Sequence, residues 1–337
     1  SVRSGVWGLA SPRGQQQGVP TYSAASMQCY CGACGSYVAV ETVGTGLVEF
    51  ECPRCSAVNQ VPCHGASQDE EEEEAELAPV DAPTWWTKTP FPGICELVAV
   101  RPDMLSAVQG LMDRTWKDVV TRDRDLAPLC RFNVIQVQQN HNLRLWSNYV
   151  RARDAIRADV GDEDLQTVMT AKVQEHDREL FSCLGEVDAT VNEFLLFHGS
   201  KPSAVESICR SKFMVKMAGA NAGALYGPGI YFGENSSKSD EYASDESSGI
   251  YQGLFAVLLC RVTCGRMYYT DEIRPDPANL DAACGGPRPQ YHSVMGDREK
   301  ARGTYREFVV YNNDQAYPEY AVIYKREPVV EDLASPS

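Results

Sequence analysis

With 337 residues and 43% hydrophobic content, the chain has material for one large domain with a sizeable core and one or two small ones. Its formal net charge of −15 disfavours a broad footprint on nucleic acid, which depends on clustered Lys and Arg. No apolar run is long enough to cross a bilayer, and the N-terminus lacks the basic start and apolar stretch of a secretory signal. The expectation is an intracellular protein, nuclear or cytoplasmic, without a membrane partner. Because the chain starts at Ser1 and not at Met, a fragment or a processed form is also expected.

Residues 1–26 are rich in Gly, Ser, Gln and Pro without apolar period, which predicts a disordered N-terminal segment. A Cys-rich segment, 27–64, follows. The 13 Cys are odd in number and five crowd between positions 29 and 55, a pattern of metal binding plus free thiols rather than of a disulfide framework. Cys31-Gly-Ala-Cys34 and Cys52-Pro-Arg-Cys55 are CxxC pairs seventeen residues apart. Each offers two thiolates from a tight turn, and the segment between them is expected to fold back as a hairpin around a tetrahedral Zn²⁺. Cys31, Cys34, Cys52 and Cys55 are the expected ligands, with Cys29, Cys63 and His64 as alternatives. Four thiolates leave no open coordination position, so the ion is structural. Arg54 is the sole basic residue between the outer cysteines, which speaks against nucleic-acid binding by this segment. The wording CGAC…GLVEFECPRCSAVNQVP resembles the zinc ribbon of the lesion-simulating-disease family. That resemblance implies a protein-interaction module.

Residues 65–84 contain Asp69 to Glu74 and Glu76, and end among Pro79 and Pro83, which reads as a solvated acidic linker. From Trp85 to position 328 the chain is continuously globular, and 329–337 form a tail. Periodicity predicts a strand over Cys95–Val100, then a helix from Pro102 to about Val120 with Met104, Val108, Leu111, Met112 and Trp116 near helical spacing. A strand over Phe132–Val137, a helix over Asn142–Ile156, and one or two helices over Asp162–Leu184 stopping at Gly185 come next. Strands then dominate: Glu193–Phe197, Gly229–Phe232, Leu254–Thr263, Glu307–Tyr311 and Ala321–Tyr324. Helices first, then strands without regular alternation, give an α+β class; no GxGxxG follows a first strand, which excludes a Rossmann reading.

Three segments carry polar residues where chemistry is done. LLFHGS is an apolar strand ending in His198-Gly199-Ser200, where Gly lets a ligand approach the backbone. LYGPGIYFGENSSKSDEY places Tyr231 in a short strand after a Gly-Pro-Gly turn, then a brief helix. Ser236 or Ser237 is expected to cap that helix, with Asp240 at capping-box spacing, and Ser239 and Tyr242 share a face. TYREFVVY sets Glu307 at the head of an apolar strand. Each has an ordinary alternative: a satisfied His, a core Tyr, and a Glu paired with Arg306.

Together these segments resemble the poly(ADP-ribose) polymerase catalytic domain, and the tankyrases most closely, over residues 92–326. LLCRVTCGRMY, YHSVMG and REFVVYNNDQAYPEYAVIYKR extend the likeness. The resemblance implies a mixed, mainly antiparallel split sheet with flanking helices, and NAD as the ADP-ribose donor. It implies His198, Tyr231 and Glu307 as the catalytic triad. His198 would bind a ribose hydroxyl, the Gly199 backbone and Ser239 hydroxyl would grip the nicotinamide amide, and Tyr231 and Tyr242 would sandwich the ring. Ser200 and Lys238 are further NAD contacts. Glu307 is what allows polymer elongation in the family, so protein poly- or oligo-ADP-ribosylation is expected, with mono-transfer or a silent NAD-binding zinc-ribbon adaptor as alternatives. Arg157–Thr190 is longer than the family pattern and reads as an insertion, and the donor loop Lys216–Tyr226 is rich in Gly and Ala. The long helical regulatory domain, the tankyrase zinc site and ankyrin repeats have no counterpart in these residues.

Overall fold

The structure, a computed structural model, describes residues 25–30, 37–42, 46–54, 56, 58–63, 80–86, 95–119, 121, 130–215, 225–286 and 289–328. The chain divides into two compact units, Ser1–Leu77 and Ala78–Ser337.

In the first unit β1 (Ala25–Tyr30) pairs antiparallel with β2 (Tyr37–Thr42), and β3 (Gly46–Glu51) with β4 (Val58–Cys63). Each CxxC pair therefore falls between the two strands of its own hairpin. The hairpin expected from the segment between the pairs is not seen, since β2 and β3 belong to separate ladders. The Ser56 amide bonds the Cys52 carbonyl at 2.9 Å, so the chain reverses at the second pair and β3 finds its partner there. Of the four expected ligands only Cys52 is described, and it is buried. Cys31, Cys34, Cys55 and the alternative His64 lie outside the described residues. Among the described residues no group of three or more His, Cys, Asp or Glu is placed to hold a metal.

Among the described residues, the strands of the second unit form one nine-stranded sheet. In chain order its strands are β5 (Cys95–Ala99), β6 (Cys130–Asn142), β7 (Glu193–Ser200), β8 (Ile230–Gly233), β9 (Phe255–Thr263), β10 (Met267–Thr270), β11 (Ser293–Asp297), β12 (Arg306–Val310) and β13 (Ala316–Pro328). Their spatial order is β10-β11-β12-β8-β7-β9-β13-β6-β5, antiparallel except for the β10–β11 pair. Whereas β7 pairs with β9 from Glu193 to Ser200, it meets β8 only at Phe197 opposite Gly233. The sheet is thus split there, and the class is α+β as expected.

Side chains alternate across the sheet with the period of two that strands impose. Leu196, Ile230, Phe232, Leu258 and Phe308 fill one core. Leu195, Phe197, Leu259 and Val322 face the other, where helix α1 (Pro102–Arg114) adds Met104, Val108 and Leu111. α1 stops at Arg114 rather than near Val120. Thr115 turns its hydroxyl back to the Leu111 carbonyl at 2.7 Å, and Trp116 leaves the helix to bond the Cys130 carbonyl under the Arg131 guanidinium. β6 runs past Val137 because its polar residues are satisfied in the core: Asn140 and Asn142 both donate to the Cys209 carbonyl. Asn142 also caps α2 (Leu143–Arg157) through the Leu145 amide. The segment before β7 is broken into α3 (Met169–His176), α4 (Arg178–Phe181) and 3₁₀ turns, ending at Gly185 with φ of 79°.

Arg261, in the apolar run of β9, is fully buried. It bonds Glu319 at 2.7 Å and Glu193 at 3.4 Å, lies 4.5 Å over the Trp85 ring, and caps the Leu184 and Glu186 carbonyls. Trp86 stacks on His141 at 4.8 Å, and Trp146 donates to the Asp81 carbonyl. Residues 80–84, expected as the end of a linker, therefore pack with the second unit. β10 and β11 are strands beyond those expected from the sequence. Among the described residues no helix is long and apolar enough to cross a membrane.

Candidate active site

The split between β7 and β8 gathers the polar residues singled out in the sequence. Beyond the Phe197–Gly233 pair, the strands part and His198 spans the gap. Its Nδ1 lies 2.9 Å from the Tyr231 carbonyl. A carbonyl only accepts, so Nδ1 carries the proton and Nε2 is left as an acceptor in the neutral ring. Phe213 and Phe232 pack on the imidazole, and this desolvation holds its pKa below the ordinary histidine value, opposed by the bond to Tyr231.

Helix α5 (Pro202–Arg210) follows β7, and the short α6 (Ser236–Asp240) covers the split. Close approach explains Gly199: a Cβ there would fall 1.8 Å from the Ser239 carbonyl oxygen. The Ser239 hydroxyl donates to the Phe197 carbonyl at 3.0 Å, which fastens α6 to β7. Ser200 closes β7 opposite Ala256. The capping expected of α6 is not observed. Asn235 is its N-cap residue without a side-chain cap bond, and the serines make tertiary contacts instead, Ser236 to the Met112 carbonyl and Ser237 to the Lys117 carbonyl. Asp240 accepts from the Tyr324 hydroxyl at 2.6 Å and from Arg326 at 2.8 Å. Tyr242 lies past the end of α6 and is half exposed, while Ser239 is buried, so the expected shared helical face is not formed.

Glu307 is buried on β12 opposite Gly233, and Val309 is opposite Tyr231. Opposed residues share a face, so the Glu307 and Tyr231 side chains project to the same side. Glu307 pairs with Lys238, whose Nζ is 3.0 Å from Oε1; Arg306, the ordinary alternative, points the other way and clasps Glu234 with bonds of 2.6 and 2.7 Å. The Lys238 ammonium also reaches Glu241 at 3.0 Å and the Tyr242 hydroxyl at 3.1 Å, and lies 4.8 Å over the Tyr242 ring. Burial penalises that ammonium, but Glu307, Tyr242 and Glu241 outweigh the penalty and raise its pKa. The Tyr231 hydroxyl accepts from the Tyr226 amide and donates to the Gly227 carbonyl, both at 2.9 Å. Burial raises its pKa, with the Glu307 and Tyr242 charges adding to the rise. Of the donor loop, 216–224 lie outside the described residues.

A split, mainly antiparallel sheet with a His, a Tyr and a Glu around the split defines an ADP-ribosyltransferase-like catalytic domain. The family model of the poly(ADP-ribose) polymerase catalytic domain matches residues 131–326, and the chain belongs to that family. It is 26% identical over 147 residues to the protein mono-ADP-ribosyltransferase PARP11 of Mus musculus, covering 39% of this chain and 42% of that protein. It is 30% identical over 134 residues to PARP12 of Mus musculus, another protein mono-ADP-ribosyltransferase, covering 40% of this chain and 17% of that protein. A probable poly(ADP-ribose) polymerase of Dictyostelium discoideum is 23% identical over 199 residues, covering 59% of this chain and 46% of that protein. The chain spans less than half the length of these relatives. The expected tankyrase subtype finds no support in them, since two carry mono-transferase names.

Proposed function

We propose that the chain is an NAD-dependent protein ADP-ribosyltransferase, which moves ADP-ribose from NAD to protein acceptors and releases nicotinamide. The observation that carries this reading is the buried Glu307, paired with Lys238 at 3.0 Å and on the same face as Tyr231, within a domain of this family. In this reading His198 Nε2 accepts from a ribose hydroxyl of NAD. The Gly199 backbone and the Ser239 hydroxyl hold the nicotinamide amide, Tyr231 and Tyr242 flank the ring, and Ser200 and Lys238 make further contacts. Cleavage of the glycosidic bond develops positive charge on the ribose, and the Glu307 carboxylate stabilises it and orients the 2′-hydroxyl. The same carboxylate aligns the acceptor nucleophile. Binding energy from the clamped nicotinamide favours the cleavage.

Incubating the chain with labelled NAD tests this. Nicotinamide release and label on protein are expected in wild type and lost in Glu307→Ala. Wild type that yields neither, at several pH values, overturns the reading. Mono-transfer is the second reading, favoured by the mono-transferase names of the PARP11 and PARP12 relatives; retention of Glu307 favours elongation. Intact-mass measurement separates a single added unit from a ladder.

For the first unit we infer a structural zinc site of Cys31, Cys34, Cys52 and Cys55 that serves docking to a protein partner. Its support is the donor chemistry and the position of each CxxC pair between paired strands. One zinc per chain, lost on Cys52→Ser, is the expected metal analysis; wild type without zinc sinks it.

A further inference from the structure

Tyr226 is fully buried in the turn that leads into β8. Its backbone is fastened on both sides: the amide donates to the Tyr231 hydroxyl, and the Tyr311 hydroxyl donates to its carbonyl. Its own hydroxyl meets the Arg298 side chain, which bonds it, and makes no other hydrogen bond of regular geometry among the described residues. A buried Tyr ordinarily finds a partner for that group.

Gly296 fixes where the hydroxyl stands. A Cβ on Gly296 would fall 2.0 Å from Tyr226 Cζ and 2.1 Å from its Oη. Gly296 is the cross-strand partner of Glu307 between β11 and β12. Directly opposed residues project to the same face, with Cβ atoms about 5 Å apart. The Tyr226 hydroxyl therefore occupies the place that a side chain at 296 would take, next to the Glu307 side chain. The surrounding charges agree: burial first, then the Glu307 carboxylate, raise the phenol pKa, while Arg298 opposes them by its charge and by a side-chain hydrogen bond to the phenol.

We propose that Tyr226 is a positioning residue for the transfer reaction, its hydroxyl donating to the Glu307 carboxylate and aiming it at the ribose as it turns from Lys238. This rests on the transferase reading above. A phenol that keeps its proton is a donor, and a carboxylate is an acceptor only, so the pair has one sense. Phe at 226 would fill the same space without the donor.

The test is Tyr226→Phe in the full chain, followed by nicotinamide release over a range of NAD concentrations and by thermal unfolding. The expected result is a kcat lower by about ten- to a hundredfold, the size of one hydrogen bond to a charged group made in the transition state. KM for NAD stays within about threefold, because ground-state binding is not the term removed. The unfolding midpoint changes little, since Phe keeps the packing of the ring and only the contact with Arg298 is lost. In a Glu307→Gln background the same change should have no further effect on kcat, because the two groups act as a unit. A Tyr226→Phe kcat within about twofold of wild type overturns the proposal and leaves the transferase reading standing. So does a loss that persists undiminished in the Glu307→Gln background. A wild-type chain that releases no nicotinamide overturns both.

Discussion

Lys238 and Glu307 form a buried ion pair of 3.0 Å in which, among the described residues, only the lysine has a reserve partner of opposite charge, Glu241, also at 3.0 Å. That asymmetry sets the cost of removing either partner. Lys238→Met takes the cation from two carboxylates in a poorly solvated place, leaving Glu241 with the Thr121 hydroxyl at 2.6 Å, and should destabilise the domain by roughly 3 kcal/mol. Glu307→Gln leaves the ammonium paired with Glu241 and should cost about 1 kcal/mol. Urea unfolding of the two variants checks the order; equal losses would contradict it. Activity should rank differently, with Glu307→Gln slowing nicotinamide release by at least about a hundredfold through the lost charge at the ribose.

Asp240 fastens the helix that carries Lys238 and Ser239. It is fully buried and accepts from Tyr324 and Arg326, and Arg326 also donates to the Asp240 and Ala243 carbonyls at 2.7 and 2.9 Å. Arg326→Gln should therefore cost about 2–4 kcal/mol by taking the charged donor away from a buried carboxylate. It should also weaken NAD binding, although Arg326 lies outside the proposed NAD contacts. Calorimetric titration with NAD, alongside thermal unfolding, reads both; unchanged affinity would show that α6 is held well enough without this clasp.

Much of this site was legible because its strands are apolar and their polar ends stand out: LLFHGS, GIYF and REFVV each appear as β7, β8 and β12 within a residue or two. Alternation along REFVV already separates Arg306 from Glu307 onto opposite faces, so the Arg306 pairing was avoidable by that rule alone. The actual partner was not, since Lys238 sits 69 positions away and reaches Glu307 only once α6 closes over the split. Ser237 and Asp240 misled for a related reason. Their spacing fits a local capping box, yet their bonds go to Lys117, Tyr324 and Arg326, contacts that local spacing does not encode. The four-residue β10 and five-residue β11 were hidden by shortness among Pro and Gly, and the end of β6 by a polar run whose amides are buried and satisfied.

Gly199 tests the close approach of α6 to β7. An added Cβ would meet backbone, 1.8 Å from the Ser239 oxygen and 2.8 Å from its carbonyl carbon, so no rotamer relieves the clash. Gly199→Ala should cost about 3 kcal/mol, the upper end for overpacking, and should reduce NAD binding because strand and helix must separate. At Gly233 the nearest atom is the Ser239 hydroxyl oxygen at 3.1 Å, which yields by a small rotation. Gly233→Ala should then be the milder of the two by thermal unfolding. A reversed order would mean that the spacing of α6 and β7 is less fixed than it stands here.

His198 gives the domain a dependence on acid. Its pKa is lowered in the folded protein by desolvation, against the opposing bond to the Tyr231 carbonyl. In the unfolded chain an imidazole titrates near about 6.5. Below that pH the unfolded state takes up a proton that the folded state resists, so stability falls as pH drops from about 6.5 towards the folded pKa, and this group contributes no slope above it. His292 is shifted the same way, by burial above all, with Asp159 opposing and Arg266 adding. The wild-type unfolding midpoint should therefore drop more between about pH 7.5 and 5.5 than that of His198→Gln, which keeps only the remaining groups' share. Catalysis should hold through the first stretch below about pH 6.5 and fail only at lower pH, once the folded imidazole takes its proton and Nε2 no longer accepts from a ribose hydroxyl. Parallel slopes for the two proteins would mean that His198 is as readily protonated in the folded state as in water.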